Sequence, residues 1–158
     1  MALEDLRRPG AETVRSFRLS DSEAVLAIAQ DSPEAAHWSK EDYAKLAADP
    51  QALALVLEIS GDITGFLVGR QVSDQAEVLN LAVKHTARRR GGASALVAAA
   101  LREFSARGAK SVYLEVRQSN TSAIAFYEHH GFSKTGIRPG YYRHPDEAAV
   151  TMQKKLTG

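Results

Sequence analysis

Three arginines and two glycines, Arg88-Arg89-Arg90-Gly91-Gly92, followed by Ala93 and Ser94, separate an apolar run at 78–83 from a helix-like stretch at 94–107. A glycine turn lets the backbone approach a ligand closely, and the first amides of a helix lack internal partners and sit at its positive end. The pattern describes an anion site, with phosphate the anion such a turn suits best. It is neither common phosphate fingerprint, because Gly-x-Gly-x-x-Gly and the terminal Gly-Lys-Ser/Thr are both missing. A solvated basic patch beside an ordinary turn accounts for the same residues. A second chemical signal is Glu115, set among Tyr113, Leu114 and Val116, where a carboxylate is costly unless it is paired or put to use. Pairing with Arg117 or another base is the alternative to a functional role. The chain has no cysteine, hence no thiolate nucleophile, disulfide or thiolate metal site, and its five histidines fall at no metal-ligand spacing, so no metal is assigned.

These residues need a scaffold, and composition bounds it. With 158 residues, 44% of them hydrophobic and 25% charged, the sequence suits one globular domain over 1–158, with roughly the first 12 residues as a flexible arm. A net charge of +1 supplies no general attraction to nucleic acid or to an anionic membrane. The charged start of the chain does not read as a signal peptide, and the expected location is the cytoplasm. Strands are expected at 13–19, 52–59, 63–72, 77–83 and 111–117, then from 133–136 with 141–142, and from 148–156. Helices are expected after Asp21 as a cap, from Ser39 to about Ala48, over 94–107 with Gly108 as a left-handed cap, and from Asn120 to Gly131. Ser39 and Asp42 have the order of a capping box. The fold class is therefore α/β: a mixed, mostly antiparallel sheet of about seven strands with about four helices. The strand, helix and strand around 88–93 form a parallel crossover with the glycine turn at its switch.

Several separated motifs in one order carry a resemblance. The turn at 88–93, the strand Tyr113-Leu114-Glu115-Val116-Arg117, Ser119-Asn120, Ala123-Ile124-Ala125-Phe126-Tyr127-Glu128 and Gly131-Phe132 resemble the GNAT acetyltransferases along nearly the whole chain. His37-Trp38-Ser39, Leu79-Asn80-Leu81-Ala82-Val83 and Tyr141-Tyr142 make it most similar to the bacterial ribosomal-protein alanine N-acetyltransferases. Two positions depart from the family pattern: His85 stands where many relatives carry proline, and Gly92 where the residue is usually bulky. Gly92 lowers helix propensity and is expected to loosen the first turn.

The resemblance implies acetyl-CoA as co-substrate, with its pyrophosphate on the turn formed by Arg88, Arg89, Arg90, Gly91, Gly92, Ala93 and Ser94. It implies a pantetheine arm along Leu81, Ala82 and Val83, where two parallel strands splay, with Asn120 capping its helix and contacting the arm. Glu115 is then the base that neutralises the attacking amine, with Glu77 in reserve, and Tyr127, twelve residues after Glu115, the acid that protonates the departing thiolate. Without the resemblance, Tyr127 reads as a core aromatic and Asn120 as a plain cap. Trp38, Glu77, Tyr141 and Tyr142 are expected on the acceptor side, although Trp38 also suits packing. The activity implied is direct acetyl transfer to the α-amino group of a protein or peptide, a ribosomal protein included. The absence of cysteine disfavours an acetyl-enzyme. Transfer to a lysine or small amine, or a silent CoA-binding module, is the alternative. Expected partners are acetyl-CoA and a protein N-terminus, with no nucleic acid or membrane, for a monomer or weak dimer.

Overall fold

The computed structural model describes residues 12–33, 35–87 and 91–157. Among them are seven strands, β1 (Glu12–Ser16), β2 (Ala52–Ile59), β3 (Asp62–Val72), β4 (Gln75–Val83), β5 (Ser111–Arg117), β6 (Ser133–Tyr142) and β7 (Glu147–Lys155), in one sheet ordered β1-β2-β3-β4-β5-β7-β6. Four helices accompany them: α1 (Ser22–Gln30), α2 (Lys40–Ala48), α3 (Gly92–Ala106) and α4 (Thr121–His129). The sheet is mostly antiparallel, and its parallel pair is β4 with β5, the strands joined through α3. No described helix is long and apolar enough to cross a membrane. The chain divides into two compact units, Met1–Val68 with Asn80–Ala100, and Gly69–Leu79 with Leu101–Gly158.

In the first unit β1 ends at Ser16, three residues earlier than its sequence suggests. The cause is ionic: the Arg15 guanidinium donates to both Asp21 oxygens at 2.8 and 2.9 Å and to Glu58 at 3.0 Å. The Asp21 carboxylate also accepts from the Arg18 amide at 2.7 Å, which draws the chain into a 3-10 turn, Leu19–Asp21. Asp21 does precede α1, but its side chain makes no cap bond to that helix. Its expected capping role is thus corrected: the carboxylate faces backward, and Arg15 holds it below the usual carboxylate range. The Ser39–Asp42 capping box forms, with Ser39 Oγ accepting from the Asp42 amide at 3.1 Å and the Asp42 carboxylate accepting from the Ser39 amide at 2.8 Å. α2 then places Tyr43 in a core with Val25, Ile28, Val56 and Phe66.

α3 begins behind Gly91, whose φ of +80° is the left-handed conformation that favours glycine. Gly92, expected to loosen the first turn, is buried, and a Cβ there would come within 2.7 Å of the Leu57 side chain. Its missing side chain lets the start of α3 pack closely on β2.

In the second unit β5 pairs with β7 along its whole length, from Ser111↔Lys155 to Arg117↔Ala149. The two-residue period of a strand sends Val112, Leu114 and Val116 into the core and Tyr113, Glu115 and Arg117 to the other face. The parallel register with β4 covers Gln75↔Ser111, Ala76↔Val112 and Glu77↔Tyr113, while the strands themselves continue to Val83 and Arg117. Glu77 therefore shares a face with Tyr113 and Glu115. β6, expected in two pieces, is one exposed edge strand with register shifts at Lys134/Gly136 and Arg138/Tyr142. Asn120 caps α4 by accepting from the Ala123 amide at 3.2 Å.

The strand that carries Glu77 is set by a close backbone approach. A Cβ on Gly69 would lie 2.7 Å from the Glu77 carbonyl oxygen and 2.6 Å from Phe104 Cζ, and the carbonyl cannot yield without moving β4. Gly69→Ala should cost about 2 kcal/mol of stability in urea unfolding; wild-type stability would contradict this account of the β3 and β4 packing.

Candidate active site

One face of the second unit opens into a pocket of about 400 Å³ whose wall includes Glu77, Tyr113, Glu115, Arg138 and Thr151. Glu115 is the central group. Its side chain is 17% exposed, and one carboxylate oxygen lies 3.6 Å from Arg138 Nη1, an ion pair too long to count as a hydrogen bond. The other oxygen is buried with no hydrogen-bond partner among the described residues. A carboxylate oxygen stripped of water and left without a donor is a costly arrangement, and such groups concentrate at functional sites. The partner weighed from sequence, Arg117, is committed elsewhere. Glu77 feels the same surroundings: loss of water at the pocket wall, then the negative charge of Glu115, push its carboxyl above the ordinary value, against the opposing effect of Arg138 and Arg70.

Arg117 organises the neighbouring turn between β6 and β7. It donates to the Pro145 carbonyl at 3.0 Å, the Arg143 carbonyl at 3.1 Å and Glu147 at 3.3 Å. Its guanidinium also lies 4.5 Å from the centre of the Tyr142 ring. Glu147 closes the network by accepting from the Ser119 amide at 2.5 Å. Tyr142 is pushed up to about 12, by burial first and then by Tyr141 and Glu115. Tyr141 is 47% exposed and stands edge-on to Tyr142, with ring centres 5.0 Å apart. Tyr127 is buried on α4 beside Phe132, and burial, followed by the nearby Tyr142, raises its hydroxyl above the ordinary phenol value. Glu77, Glu115, Tyr127, Tyr141 and Tyr142 thus all belong to the second unit, and Tyr142 interacts electrostatically with both Glu115 and Tyr127. The sequence reading omitted Arg138 and Glu147, and took Arg117 only as a partner for Glu115. Their roles depend on strand pairing between β5, β7 and β6, which no local pattern reveals.

The residues expected to hold the cofactor are described only in part. Arg88, Arg89 and Arg90 lie outside the described residues. Gly91 forms the left-handed turn, and Gly92, Ala93 and Ser94 begin α3. In β4, Leu81 is half-buried and Ala82 and Val83 are buried. Asn120 acts as a helix cap. Trp38 packs on Tyr43, with ring centres 5.6 Å apart, at the margin of the first unit's core. Among the described residues no group of three or more His, Asp or Glu could hold a metal ion.

A mixed seven-stranded sheet, one parallel pair around a glycine-led helix, and a half-buried glutamate on the second strand of that pair define an acetyltransferase scaffold. The sequence profile of the acetyltransferase (GNAT) family matches residues 22–132, and the chain belongs to that family. It is 34% identical over 142 residues to the [ribosomal protein bS18]-alanine N-acetyltransferase of Escherichia coli K12, covering 89% of this chain and 95% of that one. The crystal structure of Ard1 from Thermoplasma volcanium superposes with a TM-score of 0.86 at 34% identity, over 94% of this chain and 99% of that one. Naa20 of Chaetomium thermophilum, solved in complex with a bisubstrate analogue, gives a TM-score of 0.82 at 28% identity, over 91% and 86% of the two chains.

The Glu147 link between the β6–β7 turn and the end of β5 is directly measurable. The Ser119 side chain first, then the Ser119 amide and Arg117, hold the Glu147 carboxyl below its usual range, so its contribution is present at neutral pH and is lost as pH falls through that lowered value. Glu147→Gln should speed hydrogen exchange at the Ser119 amide about tenfold at neutral pH. The difference between variant and wild type should vanish in acid; equal protection in the two proteins at neutral pH would remove the link.

Proposed function

We propose that the chain transfers the acetyl group of acetyl-CoA to the α-amino group of a protein or peptide N-terminus, with a ribosomal protein as the acceptor class suggested by its relatives' names, acting in the cytoplasm as a single domain over 1–158. The observation that carries this reading is Glu115: a half-buried carboxylate with one oxygen paired to Arg138 and the other without a partner, on the wall of an open pocket.

An ammonium has no lone pair, so the acceptor must lose a proton before it attacks the thioester. An α-amine titrates near ~8, against ~10.4 for lysine, which makes a carboxylate acting through water a sufficient base. In this reading the unpartnered Glu115 oxygen receives that proton, and Glu77 adds negative charge that draws the ammonium in. The new bond joins the amine nitrogen to the acetyl carbon, and the carbon–sulfur bond breaks. Tyr127 gives its proton to the departing sulfur. Its raised titration keeps the hydroxyl protonated until the thiolate develops, so the proton moves only as the bond opens. Gly91 and the first amides of α3 suit the pyrophosphate, since the backbone there is left-handed, uncrowded by a side chain and at the positive end of a helix. Arg88, Arg89 and Arg90 supply charge to the same group, and Leu81, Ala82 and Val83 line the pantetheine arm. Tyr141 and Tyr142 orient the acceptor.

The test is release of free CoA from acetyl-CoA with two matched peptides, one with a free amino terminus and one blocked there but carrying an internal lysine. Release only with the free terminus is the expected result. Release with lysine alone would overturn the acceptor assignment, and no release with either peptide despite cofactor binding would favour a small-amine enzyme or a silent CoA-binding module. Tyr127→Phe should lower turnover about 100-fold while leaving cofactor affinity within about twofold. Unchanged turnover would remove Tyr127 as the acid.

A further inference from the structure

Two carboxylates sharing a half-buried site repel each other, and one of them ordinarily retains a proton at a pH where an isolated carboxylate would not. Glu77 and Glu115 are placed in this way, on one face of adjoining strands and on the wall of one pocket. The charged and titratable groups facing them are Arg70 from β3, Tyr113 from β5, and Arg138 and Tyr142 from β6, while β7 contributes the neutral Thr151. Two of these are cations. Arg138 is 3.6 Å from Glu115 and is the larger of the two in its effect on Glu77. Its guanidinium also lies 5.2 Å from the centre of the Tyr141 ring, which gives an otherwise exposed side chain a preferred position over the pocket.

We infer that Arg138 is a positioning residue: its guanidinium, reaching from the edge strand to the pocket wall that Glu77 and Glu115 share, favours the charged form of Glu77, so that the pocket presents negative charge to an approaching amine. The inference rests on the reading of this pocket as the amine-deprotonating end of the site. Arginine suits the task because its charge does not titrate in the working range, and because its planar fork can lie on an aromatic face while pointing at a carboxylate.

The test follows the Glu77 side-chain carboxyl by carbon NMR against pH in the full-length protein without acceptor, for wild type, Arg138→Gln and Arg138→Lys. Arg138→Gln should raise the Glu77 midpoint by about half a pH unit or more, a modest shift because Arg138 is largely exposed and screened. Arg138→Lys, which restores the charge, should return the midpoint close to wild type. A midpoint that Arg138→Gln leaves unmoved, or that the lysine variant moves equally, overturns the inference. With saturating acetyl-CoA and a peptide bearing a free terminus, Arg138→Gln should also lose more turnover at mildly acidic than at neutral pH. A shifted titration with a pH-independent loss of turnover would retain the inference and remove the base reading of the pocket, so the two failures are separable.

Discussion

Alternation along β5 sends Val112, Leu114 and Val116 to the buried face and leaves Tyr113, Glu115 and Arg117 on the other. Once that register is fixed by seven pairs with β7, a carboxylate necessarily lies in the middle of a sheet, where water is scarce. The second unit answers this charge on one side only. Arg138 approaches one oxygen from the edge strand, while the other oxygen is left without a donor among the described residues. Arg117, two residues further along the same strand, does not relieve Glu115, because its donors go to the Arg143 and Pro145 carbonyls and to Glu147. The two arginines therefore divide the work: one compensates the glutamate, and the other fixes the turn that follows Tyr141 and Tyr142. An unrelieved carboxylate oxygen is retained at a cost in stability, and that cost is the reason for proposing a functional role at this position.

Much of this was legible in the sequence, for reasons that can be named. β2 and β5 have their expected limits because each is an apolar run bounded by residues that end strands, and the Ser39–Asp42 box sets the start of α2 by purely local hydrogen bonds. Glu115 stood out because a charge in an apolar alternation is conspicuous without any knowledge of the fold. Asp21 misled for the complementary reason: Asp before an apolar helix is a capping signal, but an arginine six residues upstream offers the carboxylate a stronger, charge-assisted partner. β6 looked broken because Gly136, Pro139 and Gly140 weaken strand propensity, whereas pairing with β7 carries the strand through with bulges. Arg138 carries no local signal at all. It meets Glu115 only because β7 lies between β5 and β6 in the sheet, a long-range order that spacing along the chain cannot encode.

The first unit shows how a departure from a family pattern is absorbed. Glycine at 92 costs helix propensity, yet it lies against Leu57, where a side chain would crowd the core, so the start of α3 gains proximity to β2 in return. The left-handed Gly91 directly before it gives the chain a turn whose amides suit an anion, the feature that membership of the acetyltransferase (GNAT) family leads one to seek at this point. Fold and family establish acetyl transfer as the class of chemistry. The acceptor is not fixed by the fold, and in the proposed reading it is chosen at the pocket beside Glu77 and Glu115 and at the two tyrosines at the end of β6.

The proposed transfer of the acceptor amine's proton to the unpartnered oxygen of Glu115 is tested by the turnover number of Glu115→Gln against wild type, measured across pH with both substrates saturating. Glutamine keeps the shape of the side chain and removes the proton acceptor. The expected result is a loss of about 100-fold or more at neutral pH that narrows as the pH rises toward the titration of the amine itself. Wild-type turnover with an unaltered pH profile would contradict it.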